Sequence, residues 1–256
     1  NTGQRVVIFG LRGYRHLFPS LDQYDFIWVA PPRLSRVVNH LSWRLKTIGV
    51  KKMNIKIPGI PLRIMFSWNA PNFHALQKEN ASFIREVFAL PDPPANFRKT
   101  NESRKASETI IGIHIRRGDY KQWRGGKYFY EFSHYKKIAE HLRNQINKEE
   151  SKKGEKRVRF FLSSNEDLTH FIPELPDSFS YPGQSAVEDL ACLSACDYIF
   201  GPSSTFSMWA SYYGNVPLRI LDPGENTISI DEFEPIIALS QFASRRYVPV
   251  DDDVSG

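Results

Sequence analysis

Apolar and polar residues follow two different periods along the chain, and segments of the two kinds alternate. Short apolar runs rich in β-branched and aromatic residues predict strands at 5–9, 26–29, 109–115, 158–162, 198–200 and 216–221. Apolar residues three and four positions apart predict amphipathic helices at 34–45, 73–88, 130–148, 187–195 and 206–213. Strands that alternate with helices at this spacing pair in parallel through right-handed crossovers. The pattern therefore predicts the α/β class, with a Rossmann-like second half.

The run Thr109–Tyr120, TIIGIHIRRGDY, is the centre of this pattern. Alternate side chains of a strand share one face of the sheet. The two faces are Ile111, Ile113 and Ile115 on one side, and Gly112, His114 and Arg116 on the other. We expect the first face to lie in the core and the second to carry chemistry.

Arg117, Gly118 and Asp119 follow where this strand ends, at the carboxyl edge at which open α/β sheets bind ligands. Two adjacent guanidinium groups suit bidentate capture of phosphate, and their charge cannot be titrated away. The alternatives are an RGD-type adhesion loop, or two surface arginines after a buried strand. The apolar run directly upstream favours the anion site, because it would hold the arginines at a sheet edge.

A second candidate anion site follows the predicted strand at 198–200. The segment Gly201–Ala210 reads GPSSTFSMWA, and its hydroxyl residues Ser203, Ser204 and Thr205 precede a helical pattern that starts at Phe206. Hydroxyl side chains at a helix N-terminus cap its free N–H groups, and the same N–H groups can hold a phosphate. The sequence leaves both interpretations open, an ordinary cap and a phosphate cradle.

Composition and charge narrow the class of protein. The chain has 256 residues, of which 41% are hydrophobic, so one large or two smaller domains can form real cores. The net charge is +6, but the densest basic stretch, Lys148–Arg157, is interrupted by acids and a glycine and predicts a solvated loop. We see no interleaving of aromatic and basic residues, and we expect no nucleic-acid partner. No apolar run is long enough to span a membrane, and we expect no signal peptide or membrane segment.

Proline and polar residues concentrate at 90–108, which predicts an interdomain linker. We therefore expect an N-terminal domain at 1–100, a C-terminal domain at 101–245 and a polar tail at 246–256. Cys192 and Cys196 lie four positions apart on a predicted helix, and without a second pair for zinc they predict buried free thiols. A metal-binding Asp-x-Asp run occurs only at Asp251–Asp253, in the tail, so we expect no metal.

Three motifs together resemble a known family. They are H-x-R-R-G-D-Y at 114–120, EDLACLSACDYI at 188–199 and SSTFSMWA at 203–210. In this order they resemble the inverting fucosyltransferases of glycosyltransferase family 11, which form α-1,2 linkages. The α-1,6 and protein O-fucosyltransferases share the arginine motif.

The resemblance implies a GT-B-like fold, in which two Rossmann-like domains face a cleft and the N-terminal one is shortened here. It implies transfer of L-fucose from GDP-fucose to a glycan hydroxyl, most simply a galactose in α-1,2 linkage. The alternatives are an α-1,6 or protein O-fucosyltransferase and a non-catalytic nucleotide-sugar or anion-binding domain. The compartment would be the cytoplasm for a bacterial protein and the Golgi lumen for a trimmed eukaryotic one.

The same resemblance assigns expected roles to individual residues. Arg116 is expected to bind the β-phosphate without a metal, and Arg117 to support the loop or to bind the second phosphate oxygen. Asp189 would accept from the guanine edge, with His114 nearby. The helix start, Ser203, Ser204, Thr205 and Phe206, would contact the donor. The base is open among three carboxylates, Asp119, Glu166 and Asp167, of which we select Asp119 as the candidate.

Overall fold

The computed structural model describes residues 6–8, 18–25, 27–31, 33, 34, 36–38, 40, 44, 52–56, 63–67, 81–104, 107–150 and 157–237. The chain divides into two compact units, Asn1–Leu90 and Pro91–Gly256. Three predicted features lie wholly or mostly outside the described residues: the first half of the helix at 73–88, the basic loop after 150 and the tail with its Asp-x-Asp run. Of the helix predicted at 34–45, residues 34, 36–38, 40 and 44 are described and are helical.

Two small sheets are described in the first unit. Strands β1 (Val6–Ile8) and β2 (Ile27–Val29) pair in parallel, which confirms the two strands predicted there. Strands β3 (Lys52–Lys56) and β4 (Arg63–Ser67) form an antiparallel pair that the sequence analysis did not predict. Helix α1 covers Ala81–Val87 and confirms the later part of the helix predicted at 73–88.

The second unit is built on a six-stranded sheet with the order β10-β9-β8-β5-β6-β7. Its strands are β5 (Glu108–Ile115), β6 (Arg157–Ser164), β7 (Ser178–Phe179), β8 (Tyr198–Gly201), β9 (Pro217–Ile220) and β10 (Glu234–Pro235). All pairs are parallel except that of β10 with β9. The helices are α2 (Ala95–Glu102), α3 (Phe132–Glu150), α4 (Ala186–Leu193) and α5 (Thr205–Gly214).

The strand order places a crevice at a defined point of the sheet. From β5 the chain moves outward to β6 and β7, and it then returns to the other side of β5 to form β8 and β9. The direction reverses between β5 and β8, and open α/β sheets bind ligands outside the carboxyl ends of the strands at such a switch point. The α/β class and the Rossmann-like second half are confirmed. The arrangement of two such domains across a cleft stays a prediction.

Strand β5 is buried on both faces, which corrects the expectation that one face would carry chemistry. Ile111, Ile113 and Ile115 lie in a core cluster with the apolar face of α3. On the other face, a Cβ added to Gly112 would lie 2.7 Å from Leu193 Cδ2 and 3.2 Å from Cys196 Sγ. The reason is that a central strand of a parallel sheet is covered by helices on both sides. Its polar groups therefore reach a ligand only at the carboxyl end.

The segment predicted as a linker contains helix α2, which is a second correction. The helix begins after Pro94, and its one buried residue, Phe97, is completely inaccessible to solvent. The Phe97 ring lies 5.2 Å from that of Phe161 on β6 and 6.3 Å from that of Phe179 on β7, between centroids. A proline immediately before a helix marks the helix start. The other prolines and the polar residues of the segment hid this signal in the sequence. Most of the segment is thus part of the second unit.

Other expectations about the chain have simple outcomes. Both cysteines are free and buried, as predicted, and burial raises the pKa of the Cys192 thiol to about 12. Among the residues the structure describes, no helix is both long and apolar enough to cross a membrane.

Replacing Phe97 tests whether α2 is an integral part of the second unit. Phe97→Ala removes a fully buried ring from the β6 and β7 surface, so we expect the free energy of unfolding to fall by about 3–5 kcal/mol. Lys99→Ala, at an exposed position of the same helix, is the control and should change it by less than about 0.5 kcal/mol. Urea denaturation followed by circular dichroism measures both, and equal effects would return α2 to the status of a linker.

Candidate active site

A cavity of about 560 Å³ lies at the carboxyl ends of β5 and β6. It is lined by His114, Arg116, residues 162–168, residues 180–184, Ala186, Asp189 and Phe206. The lining therefore comes from the ends of β5 and β6, the loop after β7 and the first turns of α4 and α5. Of the predicted site residues, His114, Arg116, Asp189 and Phe206 are brought together around this cavity. The candidate bases Glu166 and Asp167 also line it, whereas Asp119 is not among its lining residues.

Arg116 is the first residue after β5 and presents its guanidinium group at the cavity. Its side chain is 36% exposed, and its Nε lies 3.0 Å from Asp119 Oδ1. The guanidinium carbon is 5.7 Å from the centroid of the Tyr120 ring. The ion pair and the ring fix the direction of a permanently charged group that stays accessible to a ligand.

Arg117, the next residue, is packed into the protein. Its side chain is only 13% exposed, and its Nη1 lies 2.9 Å from Glu131 Oε2. Its Nε is 3.2 Å from Glu166 Oε2, close enough for an ion pair although the N–H is not aligned for a hydrogen bond. The guanidinium carbon stands 4.8 Å from the centroid of the Phe129 ring. Arg117 is not among the cavity-lining residues, so its contacts hold the loop that follows β5.

The end of β6 holds the same loop from the other side. The Gly118 N–H donates to Glu166 Oε1 at 2.9 Å, and the Arg117 N–H donates to Asn165 Oδ1 at 3.4 Å. A Cβ on residue 118 would lie 2.6 Å from Asn165 Nδ2, so a larger residue there would displace the Asn165 side chain. Glu166, a candidate base from the sequence, is therefore engaged in bracing the arginine motif.

The other two candidate bases, Asp119 and Asp167, differ in their exposure and in the groups that they contact. Asp119 has a side chain that is 57% exposed, and its described ion pair is with Arg116. Asp167 accepts from the Thr169 N–H and hydroxyl through Oδ1, and these bonds hold the pKa of Asp167 below its ordinary value. Its carboxylate thus closes a local turn. Asp119 stays the predicted base.

His114 is buried at the back of the cavity. Burial, reinforced by the positive charge of Arg116, lowers the pKa of His114 to about 3, so the imidazole is neutral at neutral pH. Its Nδ1 has no hydrogen-bond partner among the described residues, and its ring centroid lies 5.0 Å from that of Phe206. A neutral, buried imidazole with an unused nitrogen suits hydrogen bonding to a ligand better than proton transfer.

Asp189 lies in the first turn of α4 on the wall of the cavity. The helix start is set by a capping box in which Ser185 and Glu188 bond to each other's backbone N–H groups. Burial raises the pKa of Asp189 to about 7, and the hydroxyl of Ser163, which donates to Oδ2 at 3.1 Å, opposes this shift. The site thus contains a carboxyl group whose charge changes near neutral pH and whose burial an incoming hydrogen-bond donor would offset.

The start of α5 has the capping geometry that the sequence predicts. Ser204 is the N-cap, and its Oγ accepts from the Phe206 N–H at 3.2 Å. The carbonyl of Ser203 accepts from the Tyr120 hydroxyl at 2.7 Å, so the α5 start is tied to the arginine motif. Phe206 lines the cavity, whereas Ser203, Ser204 and Thr205 do not. Direct contact of these three with a ligand stays a prediction.

Several cavity residues were missed by the sequence analysis. The largest group is the loop of residues 180–184 after β7, which includes Tyr181 and Gln184. The Gln184 Oε1 is buried without a hydrogen-bond partner among the described residues. A two-residue strand leaves no periodic signal, so this loop could not be placed at the sheet edge from sequence. Within the described part of the chain, no group of three or more His, Cys, Asp or Glu could hold a metal ion.

Fold and site together define a doubly wound α/β domain with a polar cavity at the carboxyl ends of its central strands. Residues 63–222 match the family model described as glycosyl transferase family 11. The match covers more than half of the chain, and the chain belongs to this family. No curated protein matches the sequence.

Solved structures with similarity to the chain include several of the fucosyltransferase NodZ. The α-1,6-fucosyltransferase NodZ soaked with GDP-fucose is 21% identical, with 58% of this chain and 52% of that chain covered and a TM-score of 0.36. NodZ from Bradyrhizobium is 22% identical, with 55% and 50% covered and a TM-score of 0.33. The α-1,6-fucosyltransferase NodZ co-crystallised with GDP is 17% identical, with 84% and 64% covered and a TM-score of 0.32. The chain spans about half the length of the first two.

The raised pKa of Asp189 predicts how stability depends on pH. The folded state binds this proton more tightly than the unfolded state, so the carboxyl group destabilises the fold as pH rises from about 4 to about 7. Asp189→Asn removes this charge, and we expect the variant to be more stable than wild type at pH 8 by on the order of 2–4 kcal/mol. The difference should vanish towards pH 4. Urea denaturation across this range measures it.

Glu188→Gln is the matched control on the same helix. Its hydrogen bonds from Ser185 hold the pKa of Glu188 below its ordinary value, so its charge stabilises the fold above that value. This variant should therefore be less stable than wild type at pH 8. If the effect of Asp189→Asn on stability did not depend on pH, the Asp189 carboxyl group would not have the raised pKa that its burial implies.

Proposed function

We propose that this chain is a metal-independent, inverting fucosyltransferase that moves L-fucose from GDP-fucose to a glycan hydroxyl, in α-1,2 linkage to galactose. The observation that carries the proposal is the placement of Arg116. Its accessible guanidinium stands at the mouth of a cavity whose wall carries His114 and Asp189, in a chain of glycosyl transferase family 11. Binding of GDP requires such an arrangement, because a cation has to meet its diphosphate while hydrogen-bonding groups meet its base.

The guanine base is the part of the donor that suits the inner cavity. Guanine offers two adjacent N–H donors, N1–H and N2–H, which one carboxylate accepts as a pair. Asp189 supplies such a carboxylate, and binding would hold it in the charged form that burial otherwise disfavours. The free Nδ1 of the neutral His114 is a further hydrogen-bonding group on the same wall.

The diphosphate suits the end of β5. During transfer the bond between the fucose anomeric carbon and the β-phosphate oxygen breaks, and negative charge develops on the departing GDP. Arg116 would hold this charge through guanidinium hydrogen bonds, in the role that a divalent metal has in other sugar transferases. Arg117 would not touch the phosphate. Its pairs with Glu131 and Glu166 would keep the loop in the conformation that aims Arg116.

Inversion requires the acceptor hydroxyl to attack the anomeric carbon from the face opposite the leaving GDP. The hydroxyl proton then passes to a base, which we assign to Asp119. Its carboxylate is exposed and adjacent to Arg116, whereas Glu166 and Asp167 are engaged in local structure. The helix start at Ser203–Thr205 would add N–H groups near the diphosphate. An α-1,6 or protein O-fucosyl linkage uses the same arginine motif, and a panel of acceptors distinguishes the linkages.

Removal of Arg116 tests the mechanism. Arg116→Ala should lower kcat/KM for transfer from GDP-fucose by at least about a hundredfold, close to 3 kcal/mol, because the developing charge loses its partner. Arg98→Ala, which removes an exposed guanidinium paired with Asp92, is the control and should leave kcat/KM unchanged. Transfer assays with and without EDTA measure both effects. Near-normal transfer by Arg116→Ala, or an absolute requirement for manganese, would overturn the proposal.

Base selectivity tests the assignment of Asp189. Asp189→Asn replaces one acceptor oxygen by a donor, so we expect GDP to bind at least about tenfold more weakly, or by about 1.4 kcal/mol. ADP, which has no matching pair of donors, should lose much less. Calorimetric titration of both nucleotides measures the difference, with Asp92→Asn as a surface control. Equal losses for GDP and ADP would show that Asp189 supports only its own helix.

A further inference from the structure

The segment that follows the arginine motif carries an exposed group of aromatic and basic side chains with no assigned role. It reads YKQWRGGKYFY from Tyr120 to Tyr130 and contains three cations and no acid. The expectation that aromatic and basic residues do not interleave in this chain is wrong for this segment. The segment is short and lies between a strand and a helix, so its mixture of aromatic and basic residues was not recognised from the sequence. We call Tyr120, Trp123 and Tyr128 the aromatic platform.

The platform is a rigid arrangement of three rings. Trp123 lies 4.7 Å from Tyr120 and 5.2 Å from Tyr128 between ring centroids, tilted by 33° and 38°. The two tyrosines are buried, and the Tyr120 hydroxyl is fixed by its bond to the Ser203 carbonyl. Trp123 is 36% exposed on top of them. One indole ring is therefore held at the surface in a set orientation.

Three cations belong to the segment that carries the platform. Arg124 and Lys127 contact platform rings, and the Lys121 Nζ lies 5.6 Å from the centroid of the Phe129 ring. Lys121, Arg124 and Lys127 are all exposed. The Arg124 guanidinium carbon lies 5.3 Å from the Trp123 ring centroid, and the Lys127 Nζ lies 6.0 Å from that of Tyr128. The acids on either side of the segment, Asp119 and Glu131, are paired with Arg116 and Arg117, so the three cations make this surface complementary to an anion.

The platform is adjacent to the proposed transfer site. The Tyr120 ring that supports Trp123 is the same ring over which the Arg116 guanidinium stands, at 5.7 Å from the centroid. A molecule lying on Trp123 would therefore extend towards the group assigned to the departing phosphate. The acceptor has to reach the sugar carried by this phosphate, so the platform lies within the region that an acceptor can occupy.

We propose that the aromatic platform and its three cations bind an acidic oligosaccharide, which is the acceptor of the reaction. The proposal rests on the transferase function given above. The apolar C–H face of a sugar ring would pack on the exposed part of the Trp123 indole, beside the Arg124 guanidinium or in its place. Carboxylate or sulfate groups on neighbouring sugars would pair with Lys121, Arg124 and Lys127.

Two other partners with affinity for such a surface fit it less well. Aromatic side chains that bind membranes enter the interface from an amphipathic face, whereas Trp123 lies packed across two buried rings. Single-stranded nucleic acid needs several exposed rings for successive bases, and the platform exposes one. The oligosaccharide requires one sugar face and nearby anions, which is what the segment offers.

Binding of defined oligosaccharides tests the proposal without turnover. Wild type is applied to an array of neutral, carboxylated and sulfated oligosaccharides, and we expect it to prefer acidic members. Trp123→Ala should lower the apparent affinity by at least about tenfold, or about 1.4 kcal/mol, and Trp123→Phe should restore part of it. The carboxylated and sulfated arms identify which anion is recognised.

A pair of charge-reversal variants tests the cations. Lys121→Glu/Lys127→Glu should abolish the preference for acidic members and reduce the salt dependence of binding. Lys136→Glu/Lys137→Glu, on α3, changes the net charge equally and should leave the preference intact. Melting temperatures of all variants exclude unfolding as the cause.

GDP titration of the same variants separates this proposal from the proposed function. GDP affinity should be unchanged in every platform variant. Absence of GDP binding by wild type would overturn the transferase assignment, whatever the array shows. Normal GDP binding with unaltered array binding by Trp123→Ala would overturn the platform alone. It would also be overturned if wild type bound no acidic oligosaccharide, or bound only anionic lipid vesicles or single-stranded DNA.

Discussion

The burial of β5 on both faces is the constraint on which the site depends. A strand between two layers of helices cannot present polar groups along its length, because each would lie in the core without water. Chemistry is therefore confined to the residues at and just beyond its carboxyl end. His114 is the last polar side chain within the strand, and it is buried and neutral. Arg116, immediately after the strand, is the first polar side chain beyond His114 that reaches solvent.

Two arginines that are adjacent in sequence have different roles, because one is placed to bind a ligand and the other supports the loop. Arg116 and Arg117 are identical in chemistry, but the turn after β5 directs one to the cavity and the other between Glu131 and Glu166. Glu166 also accepts from the Gly118 N–H, so one carboxylate from the segment just after β6 holds both the loop backbone and the Arg117 guanidinium. An arginine that is paired and packed in this way has lost its freedom before any ligand arrives, which preorganises its neighbour.

The pKa of a carboxyl group at the cavity depends more on its burial and hydrogen bonds than on its position in the sequence. Asp189 and Glu188 are adjacent carboxylic acids in one helical turn, yet their pKa values move in opposite directions. The Glu188 carboxylate accepts from the Ser185 backbone N–H and hydroxyl, while Asp189 lines the cavity with the Ser163 hydroxyl as its described donor. A buried carboxyl with spare acceptor capacity gains most from a ligand that supplies donors, and this gain gives the cavity selectivity beyond simple charge.

Periodicity in the sequence determined the order of the longer strands and helices in the second unit, because core faces must repeat every two or 3.6 residues. It did not predict α2 or the two-residue strands β7 and β10. Local chemistry also determined the α5 cap at Ser204 and the arginine pair after β5. Tertiary structure alone decided the rest. It placed α2 in a segment of linker composition, because Phe97 finds Phe161 and Phe179 only in the folded sheet. It also divided two arginines into a ligand-facing and a buried one, and it laid Trp123 on two tyrosines, since these outcomes depend on which distant side chains surround each residue.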